Sequence, residues 1–207
     1  MAKPTYYNLE KDKQERLIDA CMEEFSSYTF SDASINRIIK RAEISRGSFY
    51  QYFEDKEDCY LEMLGIIAEE KYRIFKDMVQ AEAGNVFEAY LNMLRQVKIW
   101  MEAQPRYYKI GVLMELDKSS FIQKLIKQNP GMMEYFLSLI RKDQANGIIR
   151  PDVNPQLLSD VLIGINQKLL MEHFVNKDYD RMVEASEAVL DLIQKGTMVV
   201  KERVCLQ

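Results

Sequence analysis

The sequence predicts an all-α protein of about nine helices. Three observations carry that expectation. Apolar residues recur every three or four positions and nowhere alternate over a useful length. Only eight Gly and five Pro interrupt 207 residues. The prolines (Pro4, Pro105, Pro130, Pro151 and Pro155) fall at apparent helix boundaries, and no internal repeat or low-complexity tract is present.

Taken in order, residues 10–27 place Leu17, Cys21 and Phe25 on one stripe with Ile18 and Met22 beside it, the pattern of an amphipathic helix. A polar break from Tyr28 to Ala33 follows. Ser34 is placed to cap a short helix carrying Ile35, Ile38, Ile39 and Ala42, and Ser45 to cap another over Arg46 to Phe53, with a tight break at Glu43-Ile44 between them. A longer helix begins at Lys56, carries Met63, Leu64, Ile67 and Ile74, and fades near Ala83-Gly84. Asn85 caps the next through about Gln104. Pro105, Pro130 and Pro155 each suit a first helical position, where a missing N–H costs nothing. Asn146-Gly147 closes one helix, and two long segments complete the chain at about 155–176 and 180–203.

Composition narrows the class. With 47% hydrophobic and 29% charged residues, the chain has material for a real core, which excludes a disordered tail, a fibre or a disulfide-stapled miniprotein. Three widely spaced cysteines (Cys21, Cys59, Cys205) without a CxxC pair read as reduced thiols packed as small apolar groups. The N-terminal residues lack the apolar stretch of a signal peptide, and no run approaches the ~18–20 apolar residues of a membrane span, so a soluble, cytoplasmic chain without a membrane partner is expected. The net charge of −4, from 28 basic and 32 acidic side chains, argues against a nucleic-acid partner when averaged over the chain. Locally it does not. Residues 33–53 hold Arg37, Lys40, Arg41 and Arg46 against Glu43 alone.

Three short helices with a tight turn between the second and third suggest a helix-turn-helix. Ile35, Ile38, Ala42, Ile44, Phe49 and Phe53 can form its small core. Ser45, Arg46, Gly47 and Ser48 at the front of the third helix are small or long-armed, as a helix entering the major groove requires. Tyr50, Tyr52 and Lys56 behind them can bond phosphate oxygens and set the register.

From Arg16 to about Leu64 the sequence resembles the TetR family of bacterial transcriptional regulators. The resemblance rests on Arg16-Leu17-Ile18-Asp19-Ala20, Phe25, Ser34-Ile35-x-x-Ile38 and Ala42-x-Ile44-Ser45-Arg46-Gly47-Ser48-Phe49-Tyr50-x-Tyr52-Phe53-x-x-Lys56-Glu57. It implies an N-terminal helix-turn-helix DNA-binding domain over 1–56 and a helical regulatory, ligand-binding and dimerisation domain over 57–207. It further implies that Asn36, Arg46, Gly47 and Ser48 meet bases and that Ser34, Tyr50, Tyr52 and Lys56 meet phosphates. Ordinary aromatic packing is the alternative for Tyr50 and Tyr52. Two positions depart from the family pattern. Thr29 and Glu43 stand where Gly is usual, and a left-handed backbone costs a non-Gly residue roughly 1–2 kcal/mol.

For the larger part, the stretch Ala145 to Pro155 looks like the link before two final helices that pair in a dimer. Leu158, Val161, Leu162, Ile165, Ala185, Ala188, Val189 and Leu192 are the candidate interface, with a buried intramolecular face as the alternative. Soft and aromatic residues suit an adaptable apolar pocket: Trp100, Tyr107, Tyr108, Met114, Phe121 and Phe136, with Glu115, Asn166 and His173 as polar anchors. They equally suit an ordinary core. The lone histidine has no nucleophile or metal-ligand partner at a telling spacing, and there is no P-loop or GxGxxG, so neither catalysis nor a cofactor nor a metal is expected. The reading is a homodimeric regulator, a repressor of a near-palindromic double-stranded operator, released by a small, largely apolar effector. The competing reading is a protein-interaction adaptor of the same fold that no longer grips DNA.

Overall fold

The computed structural model describes residues 1–80, 84–128, 131–176 and 178–199; the side chains of 74–80, 131, 132, 170, 171 and 173–176 lie outside that description. Every named element is a helix, in the order α1 (Pro4–Tyr7), α2 (Lys11–Phe25), α3 (Ile35–Ala42), α4 (Arg46–Tyr52), α5 (Lys56–Gln80), α6 (Val86–Ala103), α7 (Pro105–Leu116), α8 (Ser120–Gln128), α9 (Gly131–Ala145), α10 (Pro155–Asn176) and α11 (Tyr179–Thr197). The all-α expectation holds. Two elements differ from it. The single turn α1 is new, and one expected helix after Pro105 is two, because Asp117 leaves helical geometry (φ −75°, ψ 130°). Its carboxylate then accepts the Ser119 N–H at 2.8 Å, opening α8. Expectations at Ile74, Ala83, Pro130, Cys205 and beyond residue 199 fall outside the described residues or side chains.

Local chemistry accounts for several boundaries. Asn85 accepts the N–H groups of Phe87 and Glu88 at 3.0 and 3.1 Å, and Asn154 those of Gln156 and Leu157 at 2.9 and 3.2 Å. Gly147 has φ 68°, the left-handed geometry that ends α9, and the Ile148 N–H returns to the Asp143 carbonyl at 2.8 Å. Thr29 is not left-handed, since Glu43 is the one non-Gly residue with positive φ among the described residues. Instead the Thr29 hydroxyl donates to Asp32 at 2.8 Å, and its carbonyl accepts the Ala33 N–H at 2.9 Å, so the chain rounds the corner as a side-chain-supported turn.

The chain forms two compact units, Met1–Lys76 with Ile99–Asn129, and Asp77–Lys98 with Pro130–Gln207. In the first, Leu17, Cys21 and Phe25 of α2, Ile38 of α3, Phe49 of α4, Cys59 and Met63 of α5, Ile110 of α7 and Ile122 of α8 are all buried. Aromatic rings join these helices: Phe25 meets Tyr60 edge-on at 4.8 Å, and Phe30 lies 4.6 Å from Phe121. The Cys21 and Cys59 sulfurs are 2.8 Å apart, both free and buried, and burial pushes the Cys59 thiol up, which keeps it neutral. The second unit centres on Val86, Phe87, Tyr90 and Leu94 of α6, Phe136 and Ile140 of α9, Leu158 and Leu162 of α10, and Leu190 of α11. Asp143 of α9 is buried there and accepts the Val86 N–H at 2.7 Å, adding a cap to α6 from a distant segment. No helix among the described residues is long and apolar enough to cross a membrane.

Glu43 tests the strain account. At φ 54°, ψ 43° it occupies the position where Gly is favoured, and its partner Arg16 (3.7 Å) is an exposed pair of little energetic weight. Glu43→Gly is therefore expected to raise unfolding free energy by about 1 kcal/mol, measured by urea denaturation. An equal or lower midpoint would contradict the strain.

Candidate nucleic-acid interface

The site is built from the α3–turn–α4 unit. The start of α3 is set by Glu24 at the end of α2, a buried carboxylate that accepts the Ser34 N–H at 2.7 Å and the Arg37 Nε at 2.8 Å. Ser34 occupies the cap position but makes no side-chain cap bond, so the long-range carboxylate does the work expected of its hydroxyl. Arg37 also donates to the Asp32 carbonyl at 2.8 Å and stacks 4.0 Å from the Tyr28 ring. After the Glu43 turn, the Ser45 hydroxyl accepts the Ser48 N–H at 3.0 Å and caps α4 as the sequence predicts.

α4 presents an exposed face. Arg46 donates to the Asn36 side-chain carbonyl at 2.8 Å and to the Tyr50 hydroxyl at 3.4 Å, with its guanidinium 5.6 Å from the Tyr50 ring centre. These contacts hold a long side chain in one orientation before any ligand arrives, which lowers the entropy cost of binding. Asn36, Arg46 and Gly47 are exposed and Ser48 is half-buried. A Cβ on Gly47 would meet only the Ser45 hydroxyl oxygen at 3.8 Å, an ordinary contact. The fold itself does not require glycine there. Of the expected phosphate residues, Ser34 is half-buried and Tyr50 exposed, whereas Tyr52 is buried, its ring 5.8 Å from the Lys13 ammonium. Lys56 is half-buried, and its ammonium donates to the carbonyls of Phe30 and Ala33 at 2.6 and 3.0 Å.

The other end of α4 is held by the N-terminal segment, which sequence reasoning missed. Its last four carbonyls are all taken: Phe49 by the Phe53 N–H, Tyr50 by the Lys3 ammonium at 3.0 Å, Gln51 by the Thr5 hydroxyl and Tyr52 by the Lys3 N–H at 2.8 Å. Asp117 and Ser31 were missed too. The Asp117 carboxylate, buried at 2% exposure, accepts the Ser31 N–H at 2.7 Å and the Ser31 hydroxyl at 3.1 Å. A contact across 86 residues leaves no local signal.

The electrostatics differ from the charge count. Arg37 is spent on Glu24, Arg41 lies 3.7 Å from Glu23 and Arg16 pairs with Glu43. Arg46 remains as the cation best placed beside the exposed face. Burial pushes the Lys56 ammonium down, partly offset by Asp117 and Asp32. For Asp117, burial alone would raise the carboxyl, but hydrogen bonds from Ser119 and Ser31 outweigh it and hold it below the ordinary carboxylate range.

The expected pocket residues are spread over both units. Trp100, Tyr107, Tyr108, Met114, Glu115 and Phe121 belong to the first, and Phe136 and Asn166 to the second. Phe121 packs in the aromatic cluster around Phe30 and Tyr60, and Phe136 lies 5.8 Å from Tyr90 in the second core. Glu115 is exposed. The Trp100 Nε1 and Asn166 Oδ1 are buried without a partner, as are the Tyr90 and Ser159 hydroxyls. The His173 side chain lies outside the described residues. An open groove of about 1050 Å³ is lined by residues of α1, α2, α5 and α7, of both charges, including Arg16, Asp19, Glu62 and Arg106, together with Tyr107. Of the expected interface residues, Leu158 and Leu162 are buried in the second core, while Val161, Ala188 and Leu192 are exposed and Ile165, Ala185 and Val189 half-buried.

Comparison with known proteins points the same way as this geometry. Residues 17–63 match the family described as bacterial regulatory proteins, tetR family. The HTH-type transcriptional regulator SrpR of Pseudomonas putida is 24% identical over 88% of this chain and 84% of its own length. The fatty acid metabolism regulator protein of Bacillus subtilis is 21% identical over 90% and 96%. Among solved structures, a TetR family transcriptional regulator from Chloroflexus aurantiacus superposes with TM-score 0.77 at 27% identity, over 97% of this chain and all of that one. The Bacillus subtilis regulator FadR, in complex with stearoyl-CoA, superposes with TM-score 0.70 at 18% identity, over 88% and 98%, a likeness of fold.

Two outcomes follow from the site geometry. Gly47→Ala is expected to leave the folded protein intact and raise its stability by up to about 1 kcal/mol, while weakening DNA binding; unfolding and gel-shift titrations read the two effects separately. Asp117 has a depressed folded value, so its contribution is fully present above the unfolded carboxyl value of about 4 and is lost as pH falls through the folded one. The stability gap between wild type and Asp117→Asn should therefore stay constant above about pH 4 and close below it. A gap unchanged at lower pH would remove Asp117 from the titrating groups.

Proposed function

Because residues 17–63 place the chain in the TetR family of bacterial regulatory proteins, we propose that it is a cytoplasmic, homodimeric repressor whose α4 reads the major groove of a near-palindromic operator. The observation that carries this reading is the Arg46–Asn36–Tyr50 arrangement, a pre-oriented guanidinium beside glycine and serine on an exposed helix face. Arg46 reads a guanine edge, the small Gly47 and Ser48 permit close approach, and Asn36 supplies an amide to a neighbouring base. Ser34 and Tyr50 hold the flanking phosphates. Residues 1–56 are the reading part and 57–207 the regulatory one. The two reading parts of a dimer enter successive grooves ~34–36 Å apart.

The dimer reading is supported by apolar side chains left exposed on the last two helices: Leu157 and Val161 one turn apart on α10, and Leu192 on α11 one turn from exposed Ala188. Their spacing makes a narrow seam on each helix, the form that helix pairs across a two-fold axis use. The effector reading draws on the buried, unpartnered Tyr90, Ser159 and Asn166 polar atoms in a largely apolar unit, and on the stearoyl-CoA held by the Bacillus subtilis regulator. The effector proposed is small and largely apolar, with a polar group for these atoms. To shift operator binding from nearly complete to nearly absent, it must favour the DNA-incompetent state by roughly 5.5 kcal/mol.

The test is a titration of the full chain against its own upstream promoter DNA and against random DNA. Arg46→Ala should cost about 1–3 kcal/mol on the operator and relax one base position per half-site, with random DNA little affected. Equal losses on both would remove Arg46 from base reading. No binding at low salt by a folded dimer would favour the adaptor. Stearoyl-CoA at micromolar concentration should release the operator; a lack of release would direct the search to other effector classes.

A further inference from the structure

Residues 30–33, which lead from α2 into α3, are gripped from both polar sides. The ammonium of Lys56, the first residue of α5, donates to the carbonyls of Phe30 at 2.6 Å, Ala33 at 3.0 Å and Ser31 at 3.4 Å, and lies 4.6 Å from the Phe30 ring centre. Asp117, at the end of α7, accepts the Ser31 N–H at 2.7 Å and the Ser31 hydroxyl at 3.1 Å. One cation thus serves the carbonyls of the turn, and one anion serves its N–H and O–H. The same carboxylate accepts the Ser119 N–H at 2.8 Å, and the Gln123 amide donates to the Asp117 carbonyl at 2.9 Å, so the start of α8 is tied to the same point.

We propose that Lys56 and Asp117 form a clasp that positions the helix-turn-helix for its operator, with Lys56 acting through the α2–α3 turn and not as a phosphate contact. An ammonium has three donors, and three carbonyls of one turn occupy this one. Contacting a phosphate would mean giving up charge-assisted bonds already made in a half-buried place. The turn in question is supported by the Thr29 hydroxyl's bond to Asp32, and it delivers Ser34 to Glu24 and hence sets α3. α3 carries Asn36, the partner that orients Arg46. Asp117 makes the position of that turn depend on the α7–α8 junction. The clasp rests on the DNA-reading proposal for its consequence, although the bonds themselves can be tested without DNA.

Lys56→Met keeps the apolar stem and removes the ammonium; Asp117→Asn keeps the shape and turns an amide towards the Ser31 donors. In the full-length protein, both should weaken operator binding more than about tenfold. Random-DNA affinity and its salt dependence should be unchanged, and the double variant no weaker than the worse single one. A phosphate contact predicts instead that Lys56→Met lowers the salt slope by about 1.8, about 0.9 from each subunit of the dimer; that result, or undiminished operator binding by Asp117→Asn, overturns the proposal. Ser31→Ala removes one hydroxyl from an exposed position and guards against misfolding of the other two; it should give a smaller operator loss with the same slope, and no loss counts against the clasp. Hydrogen exchange without DNA separates the two levels. A Ser31 amide protected in wild type and released in Asp117→Asn supports the clasp even where wild type binds no promoter DNA, an outcome that defeats only the DNA reading. An unprotected wild-type amide defeats the clasp.

Discussion

A helix of seven residues does not stand by itself in water, because nucleation fixes several residues before propagation repays it. α4 is such a helix, and the surrounding structure consists largely of what holds it. Phe49 and Phe53 anchor its inner face, Ser45 closes its front, and Lys3 and Thr5 close its back. The outer face is left largely to solvent: Arg46 and Gly47 are exposed, Arg46 leans on Asn36 and Tyr50, and Ser48 lies half-buried beside the Ser45 cap.

The same economy governs the charges. The basic surplus around α3 and α4 suggests a positive surface, and part of it is paired with carboxylates, Arg37 with Glu24 and Arg41 with Glu23. Arg37 holds the buried Glu24, and Lys56 holds a turn. On the proposed reading, a head with part of its positive charge paired attracts the phosphate backbone less than its charge count suggests, and oriented contacts add to the discrimination. The acidic total and a DNA-binding role are compatible, because the basic residues are gathered near α3 and α4.

Local chemistry was legible in the sequence, and long-range partnership was not. Ser45, Asn85, Asn154 and Gly147 announce their boundaries because a cap or a left-handed turn is decided within a few residues. The α3–α4 motif could be located for the same reason. Tyr52 looked like Tyr50 in the string, and only packing separates a buried ring from an exposed one. Ser34 was placed correctly as the cap, but the acceptor at that position is supplied by Glu24, ten residues away. Asp117 is further still. In the larger part the aromatic list mixed two cores, because hydrophobic residues carry no mark of which unit they will join.

The two compact units are interleaved along the chain, and α5 and α6 each contribute to both. That arrangement constrains how such a protein can be recombined. A reading head spliced out after residue 56 would leave behind Tyr60, Ile110, Phe121 and Ile122, side chains that complete its own core. On the proposed reading of α4, exchange of operator preference between relatives is thus easier by substitution on its face than by transplanting a segment, because the head cannot be cut out with its core intact.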